Sequence, residues 1–234
     1  LIGGKVFEIS IDQLHRTYLA EYDVETIATE LTPEEKKEYD QVYKIFLNYL
    51  HANKIILKTP ADFQRFVMRT GRDTRAREAL LARHRARSIA LNSVSKLNAL
   101  KQILETHSSS SDRILIFTEH NELVHRISRE LLIPAITHRT SKGERAETLQ
   151  NFRNARYRMI VTSKVLDEGV DVPEANVGII LSGSGSTREF RQRLGRLLRK
   201  RGEKRAILYE IVSKKTSEVG TSKRRKEGYR SASR

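Results

Sequence analysis

The residues best suited to chemistry lie near the carboxyl end, in the segment QRLGRLLRK at positions 192–200. On a helix that turns 100° per residue, the leucines of this segment fall on one side and its cations on the other. The predicted outward face carries Arg188, Gln192, Arg196 and Arg199. Gly195 sits within the same helix, where alanine would be more stable by roughly 1 kcal/mol, so we expect a close approach to the backbone there. A solvated helix face is the ordinary alternative, but cations beside this glycine favour a binding site.

The overall charge of the chain also indicates an anionic partner. Its 234 residues include 44 lysines and arginines against 29 aspartates and glutamates, a formal net charge of +15. A polyanion is therefore expected, with nucleic acid ahead of an acidic membrane surface. The chain has no cysteine, which excludes disulfides, thiolate metal sites and cysteine nucleophiles. No apolar run reaches the roughly eighteen residues of a membrane-spanning helix and no signal peptide is recognisable, so we expect an intracellular protein with no membrane partner.

The first half of the chain reads as helical. The segment LTPEEKKEYDQVYKIFLNYL has Thr32 as an N-cap and Pro33 at the first helical position, followed by apolar residues at helical spacing. Residues 63–87 contain eight arginines against two acidic residues, with an interruption expected at Gly71. We predict a basic helical arm at about residues 54–92. Because arginine suits phosphate contact, the arm is a candidate nucleic-acid surface, with a solubilising helix pair as the alternative.

The second half alternates short apolar runs with amphipathic stretches. The runs are ILIF at 114, AIT at 135, MIV at 159, VGII at 177 and AILY at 206. They are too short for helices, and their spacing predicts an α/β domain with about five buried parallel strands over residues 109–212. Ligands of such sheets bind at the carboxyl ends of the strands. The polar groups that follow three of the runs, TEH, TSK and SGSGS, are therefore candidate binding residues.

Three segments of the second half resemble motifs IV, V and VI of the superfamily 2 helicases: RILIFTEH, VTSKVLDEGVDVPEANVGIILSGSGSTREF and QRLGRLLRK. The glutamine that begins the third segment, the basic arm and the TSEVGTSKRRKEG ending are most similar to the XPB-type DNA repair helicases, in an archaeal version. The resemblance implies a RecA-like (P-loop NTPase-type) parallel sheet flanked by helices, with the arm as a thumb-like insertion. It also implies ATP-dependent helicase or duplex-translocase activity in nucleotide excision repair.

The resemblance further implies that the chain is the second of two RecA-like halves. Such helicases bind ATP between the halves, and the first half carries the phosphate loop GxxxxGK(S/T) and an acidic metal-binding motif. Neither pattern occurs here, so we expect the missing half to hold most of the Mg²⁺ contacts and the isolated chain to be inactive as an ATPase. The opening LIGGKVFEIS also reads as the middle of a protein. The expected organisation is a linker at 1–30, a helical segment at 31–108, the RecA-like domain at 109–212 and a mobile basic tail at 213–234.

By resemblance, the outward face of the QRLGRLLRK helix is directed at ATP. A guanidinium supplied from across a cleft stabilises the negative charge on the γ-phosphate oxygens during phosphoryl transfer. Arg199 is then the main arginine finger, Arg196 its partner, and Gln192 contacts the phosphate or the attacking water. In DEGVDVP, Gly169 permits a tight turn, while Asp171 accepts hydrogen bonds from a ribose hydroxyl or holds an arginine finger. The alternative for Asp171 is a capping aspartate.

Nucleic-acid contacts are expected at the strand ends and on the arm. Hydroxyls and backbone amides at strand ends can bind phosphates without reading the base sequence. The candidates are Thr118, Glu119, Thr162 and Ser163 at two strand ends, Arg139, Thr140 and Ser141 between motifs IV and V, and Arg69, Arg72 and Arg75 on the arm. For Thr140 and Ser141, capping of the following helix is an equal alternative to phosphate contact.

The expected partners are DNA at a junction of single and double strand, ATP with Mg²⁺, the amino-terminal RecA-like half and a repair nuclease. The expected location is the cytoplasm or nucleoid of an archaeon, or the nucleus of a eukaryote. No metal site built by this chain alone is expected, because its seven histidines lack metal-ligand spacing. Two alternatives are an RNA helicase or restriction-type translocase domain of the same superfamily, and a non-catalytic DNA-binding module. DEAD-box RNA helicases usually have a histidine and a later glycine where this chain has Gln192 and Leu198, which favours DNA.

Overall fold

The computed structural model describes residues 22–108, 111–163, 175–182 and 206–230. Within these ranges six parallel strands form one sheet. The strands are β1 (Tyr22–Thr29), β2 (Ile114–Phe117), β3 (Ala135–Ile136), β4 (Met159–Thr162), β5 (Val177–Ile180) and β6 (Ala206–Ser213). Their order across the sheet is β1-β6-β5-β2-β4-β3. Strands β2 to β6 coincide with the five apolar runs, and the predicted α/β fold with a parallel sheet is confirmed.

The helices of the described residues form two groups: the first three pack on one another, and most of the others cover the sheet. They are α1 (Pro33–Ala52), α2 (Pro60–Arg69), α3 (Thr74–Leu91), α4 (Val94–Thr106), α5 (Asn121–Leu131), α6 (Lys142–Arg153) and α7 (Ser217–Arg230). None of these described helices is both long and apolar enough to cross a membrane.

Helices cover both faces of the sheet, because successive side chains of a strand point to opposite faces. In β2, Ile114 and Ile116 belong to the core that α4 and α5 complete. Leu115 and Phe117 belong to the opposite core, which includes Phe152 of α6. The central strands are therefore buried on both sides, as the uninterrupted apolar runs predicted.

The arm predicted at about residues 54–92 contains α2 and α3, which pack on α1, and the three helices together are called the basic arm below. Helix α1 begins as predicted, since the Thr32 hydroxyl accepts a hydrogen bond from the Glu35 N–H (3.2 Å) and the Glu35 carboxylate accepts one from the Thr32 N–H (3.0 Å). This reciprocal capping satisfies N–H groups that the first turn leaves open. The predicted interruption at Gly71 is also confirmed, because it lies between the end of α2 and the start of α3.

The arm has an apolar core of its own. Phe46 of α1 and Phe66 of α2 are buried with their ring centroids 5.9 Å apart. Ala76 and Ala79 allow α3 to pack closely on this pair, and both are fully buried. The guanidinium of Arg83 lies 4.5 Å from the ring centroid of Phe63. The arm is thus a packed unit, and several of its other arginines, including Arg72, Arg75 and Arg77, are exposed.

Two segments differ from the expected organisation. Residues 22–29 were expected in a linker but form the edge strand β1, which pairs with β6 along its whole length. The expected mobile tail is corrected for residues 217–230, which form α7. Glu218 and Ser222, one helical turn apart, are buried, and the Ser222 hydroxyl donates a 2.9 Å hydrogen bond to the Glu210 carboxylate. Helix α7 therefore docks through polar contacts, which leave no apolar pattern in the sequence.

Candidate nucleic-acid interface

The carboxyl ends of β2, β4 and β5 meet at one edge of the sheet. The hydroxyl oxygens of Thr118 and Ser182 are 2.8 Å apart, and Ser182 also accepts a 2.8 Å hydrogen bond from the Glu119 N–H. Since the strands are parallel, the chain leaves β4 into residues 164–174 and β5 into residues 183–205 from this same edge. The predicted nucleotide-site residues belong to those two segments and lie outside the described residues: Gly169, Asp171, Gln192, Arg196 and Arg199.

The threonines at the strand ends are buried. Thr118 is 1% exposed and Thr162 is 0% exposed, and the Thr162 hydroxyl donates a 2.8 Å hydrogen bond to the Ser163 carbonyl. Ser163 is buried as well. These side chains are buried in this structure, and their contact with phosphate stays a prediction. The contact between the Thr118 and Ser182 hydroxyls joins the ends of β2 and β5.

Glu119 is held by the arm. Its carboxylate forms an ion pair with the guanidinium of Arg87 from α3. An anionic side chain already paired with arginine is poorly suited to meet a phosphate. This contact instead attaches the arm to the carboxyl edge of the sheet. The sequence did not indicate it, because the two residues are 32 positions apart and neither segment alone shows which residue it meets across the fold.

The segment after β3 divides into capping and exposed residues. The Ser141 hydroxyl accepts a 3.2 Å hydrogen bond from the Glu144 N–H at the start of α6, which supports the capping alternative for Ser141. The Thr140 hydroxyl accepts a 2.9 Å hydrogen bond from the Thr137 N–H and closes the turn. Arg139 is exposed beside them and stays a predicted phosphate contact.

The arginines of the arm differ in how they are engaged. Arg69 donates a 2.9 Å hydrogen bond to the Asn53 side chain and lies 3.3 Å from a carboxylate oxygen of Asp73. Arg72, Arg75 and Arg77 are exposed, and no carboxylate in the described ranges forms an ion pair with them. Arg75 precedes Arg87 by twelve residues, about 18 Å along α3 at 1.5 Å per residue. The arm thus carries uncompensated cations well beyond its attachment to the sheet.

Asp73 organises the turn that presents these cations. Its carboxylate accepts a 2.6 Å hydrogen bond from the Tyr49 hydroxyl and a 3.1 Å hydrogen bond from the Ala76 N–H at the start of α3. The Tyr49 hydroxyl, followed by the Ala76 N–H, lowers the pKa of Asp73 below the ordinary aspartate value. Burial and the bond to this carboxylate raise the pKa of Tyr49. The ionised carboxylate is therefore the form that the fold stabilises.

Replacing Asp73 with asparagine should lower the thermal midpoint of the arm by a few degrees at pH 7, because asparagine still caps α3 but lacks the charge. A group whose pKa is lowered on folding contributes stability above its unfolded pKa of about 3.9, and the contribution is lost as the pH falls through the lower folded pKa. The difference between wild type and variant should thus shrink below about pH 4. Melting curves of both proteins from pH 7 to pH 3 measure this difference in thermal midpoint.

The matched control for this prediction is Tyr49→Phe, which removes the hydroxyl but keeps the ring. In that background the Asp73→Asn substitution should have a smaller effect at pH 7, because the largest cause of the lowered pKa is gone. A pH-independent difference, equal in both backgrounds, would show that the charge of Asp73 does not stabilise the arm.

The structure contains a cavity between the arm and the first turn of α7, with a volume of about 660 Å³. Its lining is both apolar and polar and includes Lys58, Arg83, Arg87 and Glu218, and none of the sequence-derived site residues line it. Among the residues that the structure describes, no group of three or more histidine, aspartate or glutamate side chains is arranged to hold a metal ion.

The architecture matches solved motor domains. The carboxyl-terminal part of the Fun30 ATPase domain superposes with a TM-score of 0.63 at 14% identity, over 88% of this chain and 89% of that one. The SWI2/SNF2 ATPase core of Sulfolobus solfataricus in complex with dsDNA also gives a TM-score of 0.63, at 18% identity, over 86% of this chain and 43% of that one. At these identities the likeness concerns the fold alone. The predicted RecA-like fold is confirmed.

Proteins related by sequence share higher identities with this chain than these solved structures do. The DNA 3'-5' translocase XPB2 of Sulfurisphaera tokodaii is 44% identical over 227 residues, which are 97% of this chain and 51% of that protein. The general transcription and DNA repair factor IIH helicase/translocase subunit XPB of Danio rerio is 39% identical over 137 residues, 56% of this chain and 18% of that protein. The chain therefore spans about half the length of the archaeal relative.

The parallel sheet, the motifs at its carboxyl edge and these matches define the class of protein: the carboxyl-terminal RecA-like half of a superfamily 2 helicase or translocase. Residues 76–229 match the model of the ERCC3/RAD25/XPB C-terminal helicase. The chain belongs to that family, and the resemblance noted in the sequence is confirmed.

Proposed function

We propose that this chain is the second motor half of an ATP-dependent DNA helicase or duplex translocase that acts in nucleotide excision repair. The observation that carries the proposal is the attachment of the basic arm to the carboxyl edge through the Arg87–Glu119 ion pair. This ion pair connects a helical unit with exposed arginines to the edge at which β5, the strand before the QRLGRLLRK segment, ends. Family membership supports the same conclusion, since the relatives are named as DNA translocases and helicases.

In this proposal the arm and the turn after β3 bind the DNA backbone. Arg72, Arg75 and Arg139 are exposed and suited to phosphate, and such contacts grip DNA without reading its sequence. The DNA is a junction of single and double strand. Thr118 and Glu119 act indirectly, because they fix the strand end to which the arm is attached.

The nucleotide site is proposed to lie between this half and an amino-terminal RecA-like half. Arg196 and Arg199 approach the γ-phosphate from the QRLGRLLRK segment, Gln192 contacts the phosphate or the attacking water, and Gly169 and Asp171 border the nucleotide. The cations of the QRLGRLLRK segment suit an anionic ligand. ATP brings Mg²⁺, which the phosphate loop and acidic motif expected in the other half would mainly hold. A repair nuclease is a further proposed partner.

Turnover of ATP by the full-length parent protein tests the proposal. We expect duplex or junction DNA to raise hydrolysis by at least about tenfold, and the isolated chain of residues 1–234 to show none, because phosphoryl transfer needs groups from both halves. Phosphate release is measured with and without DNA for both proteins. A full-length protein that binds DNA but hydrolyses no ATP would instead favour the non-catalytic DNA-binding module.

A further inference from the structure

A lysine and a glutamate are buried together behind the carboxyl edge of the sheet. Lys96 of α4 is 1% exposed in its side chain and Glu218 of α7 is 4% exposed, and the two form an ion pair. The Lys96 ammonium also donates a 2.6 Å hydrogen bond to the carbonyl of Leu181. Leu181 directly follows β5, so the Lys96 ammonium binds the backbone where the chain leaves that strand.

Glu218 extends the network to the next strand. Its second carboxylate oxygen accepts a 3.0 Å hydrogen bond from the Ser213 N–H at the end of β6. The Ser213 hydroxyl in turn donates a 2.7 Å hydrogen bond to the Ala90 carbonyl at the end of α3. The buried pair therefore joins the exits of two neighbouring strands to the base of the arm.

Stability alone does not account for such a pair. Moving an ammonium and a carboxylate out of water is costly, and replacing a buried ion pair with uncharged residues of similar size is often neutral or stabilising. What apolar residues cannot reproduce is the directed hydrogen bond from Lys96 to the Leu181 carbonyl. The adjacent residue, Ser182, is held in the same way from the other side, by Thr118 and Glu119. The exit of β5 is thus fixed on two sides.

We propose that Lys96, held by Glu218, is a positioning residue that sets where residues 183–205 leave the sheet and so aims the QRLGRLLRK segment. The role of that segment rests on the proposed function, whereas the contacts of Lys96 do not depend on it. The directed bond fixes the Leu181 carbonyl, and the paired carboxylate orients the ammonium. The same network reaches the arm, so the DNA-facing and nucleotide-facing parts share one anchor.

The experiment uses the full-length parent protein with the double substitution Lys96→Met and Glu218→Gln. This variant removes both charges of the pair, and glutamine still accepts the Ser213 N–H. We expect a thermal midpoint close to that of the wild type, faster amide hydrogen exchange in residues 182–205, and a fall in DNA-stimulated kcat of about 10²-fold, the effect of a small misplacement of a reacting group. The KM for ATP and the affinity for DNA should be unchanged.

The matched control is Lys101→Met with Glu130→Gln. This pair also begins on α4, but its atoms are 3.7 Å apart and its side chains are about two-fifths exposed. Exchange and kcat should equal those of the wild type. If the Lys96 double variant fails to fold, Ser182→Ala removes the second attachment of the β5 exit by deleting one oxygen, and should likewise raise exchange in residues 182–205.

Unchanged exchange in residues 182–205 of a folded variant would overturn the inference, whatever the ATPase result. If the wild type hydrolyses no ATP, the proposed function fails, and the exchange measurement alone then decides whether Lys96 positions the segment. Raised exchange with an unchanged kcat would also overturn the inference, because the segment would be loosened without consequence for turnover.

Discussion

Replacing Arg199 with alanine in the full-length parent protein should lower DNA-stimulated ATP turnover by about 10³-fold or more, while DNA affinity is retained. A trans-acting guanidinium stabilises charge that develops on the transferred phosphoryl group and is worth about 10³ to 10⁵ in rate, or about 4 to 7 kcal/mol. No proton transfer is involved, so alanine removes the whole electrostatic contribution. Steady-state phosphate release and equilibrium DNA binding are measured on the same preparations.

The matched control for Arg199 is Arg129→Ala. Arg129 is exposed near the carboxyl-terminal end of α5, away from the carboxyl edge of the sheet, and its loss should leave turnover within about twofold of the wild type. The effect of Arg199→Ala should appear in kcat, because the interaction forms in the transition state rather than on ATP binding. A variant that turns over ATP normally would assign QRLGRLLRK to DNA binding or to structure, and the arginine-finger proposal would be abandoned.

The strands that the sequence predicted share a physical property that the missed strand lacks. Strands β2 to β6 are central or covered by helices, and burial on both faces leaves an uninterrupted apolar run. Strand β1 lies at the edge of the sheet, and Val24, Glu25 and Thr26 on it are exposed. An exposed edge strand needs no apolar run, so its sequence YDVETIAT was not distinguished from a linker.

The candidate site was predicted in its residue types but not in its contacts. The resemblance to helicase motifs identified Thr118 and Glu119 correctly as residues at a strand end. It did not reveal that Thr118 is bonded to Ser182, 64 positions later, or that Glu119 is paired with the arm. Such long-range partners depend on the order of strands in the sheet, which the sequence pattern does not contain.

Polar and charged side chains therefore have two distinct uses in this protein. Arg72, Arg75 and Arg139 are exposed and can reach a ligand directly. The buried hydroxyls of Thr118 and Ser182, and the Lys96–Glu218 pair, instead fix the backbone from which a functional segment departs. Burial distinguishes the two uses, and it predicts different outcomes on substitution: lost affinity for the exposed group and lost positioning for the buried group.

The double substitution Arg72→Gln and Arg75→Gln should weaken DNA binding by about 50-fold at 0.1 M salt. Each phosphate contact releases a condensed counterion, so two lost contacts should also reduce the slope of log affinity against log salt concentration by about 2. Both side chains are exposed and neither is paired with a carboxylate in the described ranges, so removing them leaves no acidic partner uncompensated. Fluorescence anisotropy with a labelled junction DNA at several salt concentrations measures affinity and slope together.

The control for the arm is Arg129→Gln with Arg156→Gln, which removes the same charge from exposed positions elsewhere. Arg156 lies three residues before β4 begins, so both control residues are near the amino-terminal edge of the sheet. If affinity falls equally in the two double variants, the DNA senses only the net charge of the protein, and the arm is not a specific binding surface. If only the arm variant loses affinity and slope, the arginines beyond the Asp73 turn make the phosphate contacts. Hydrolysis at saturating DNA should then stay close to normal in the arm variant, because its defect is in binding and not in phosphoryl transfer.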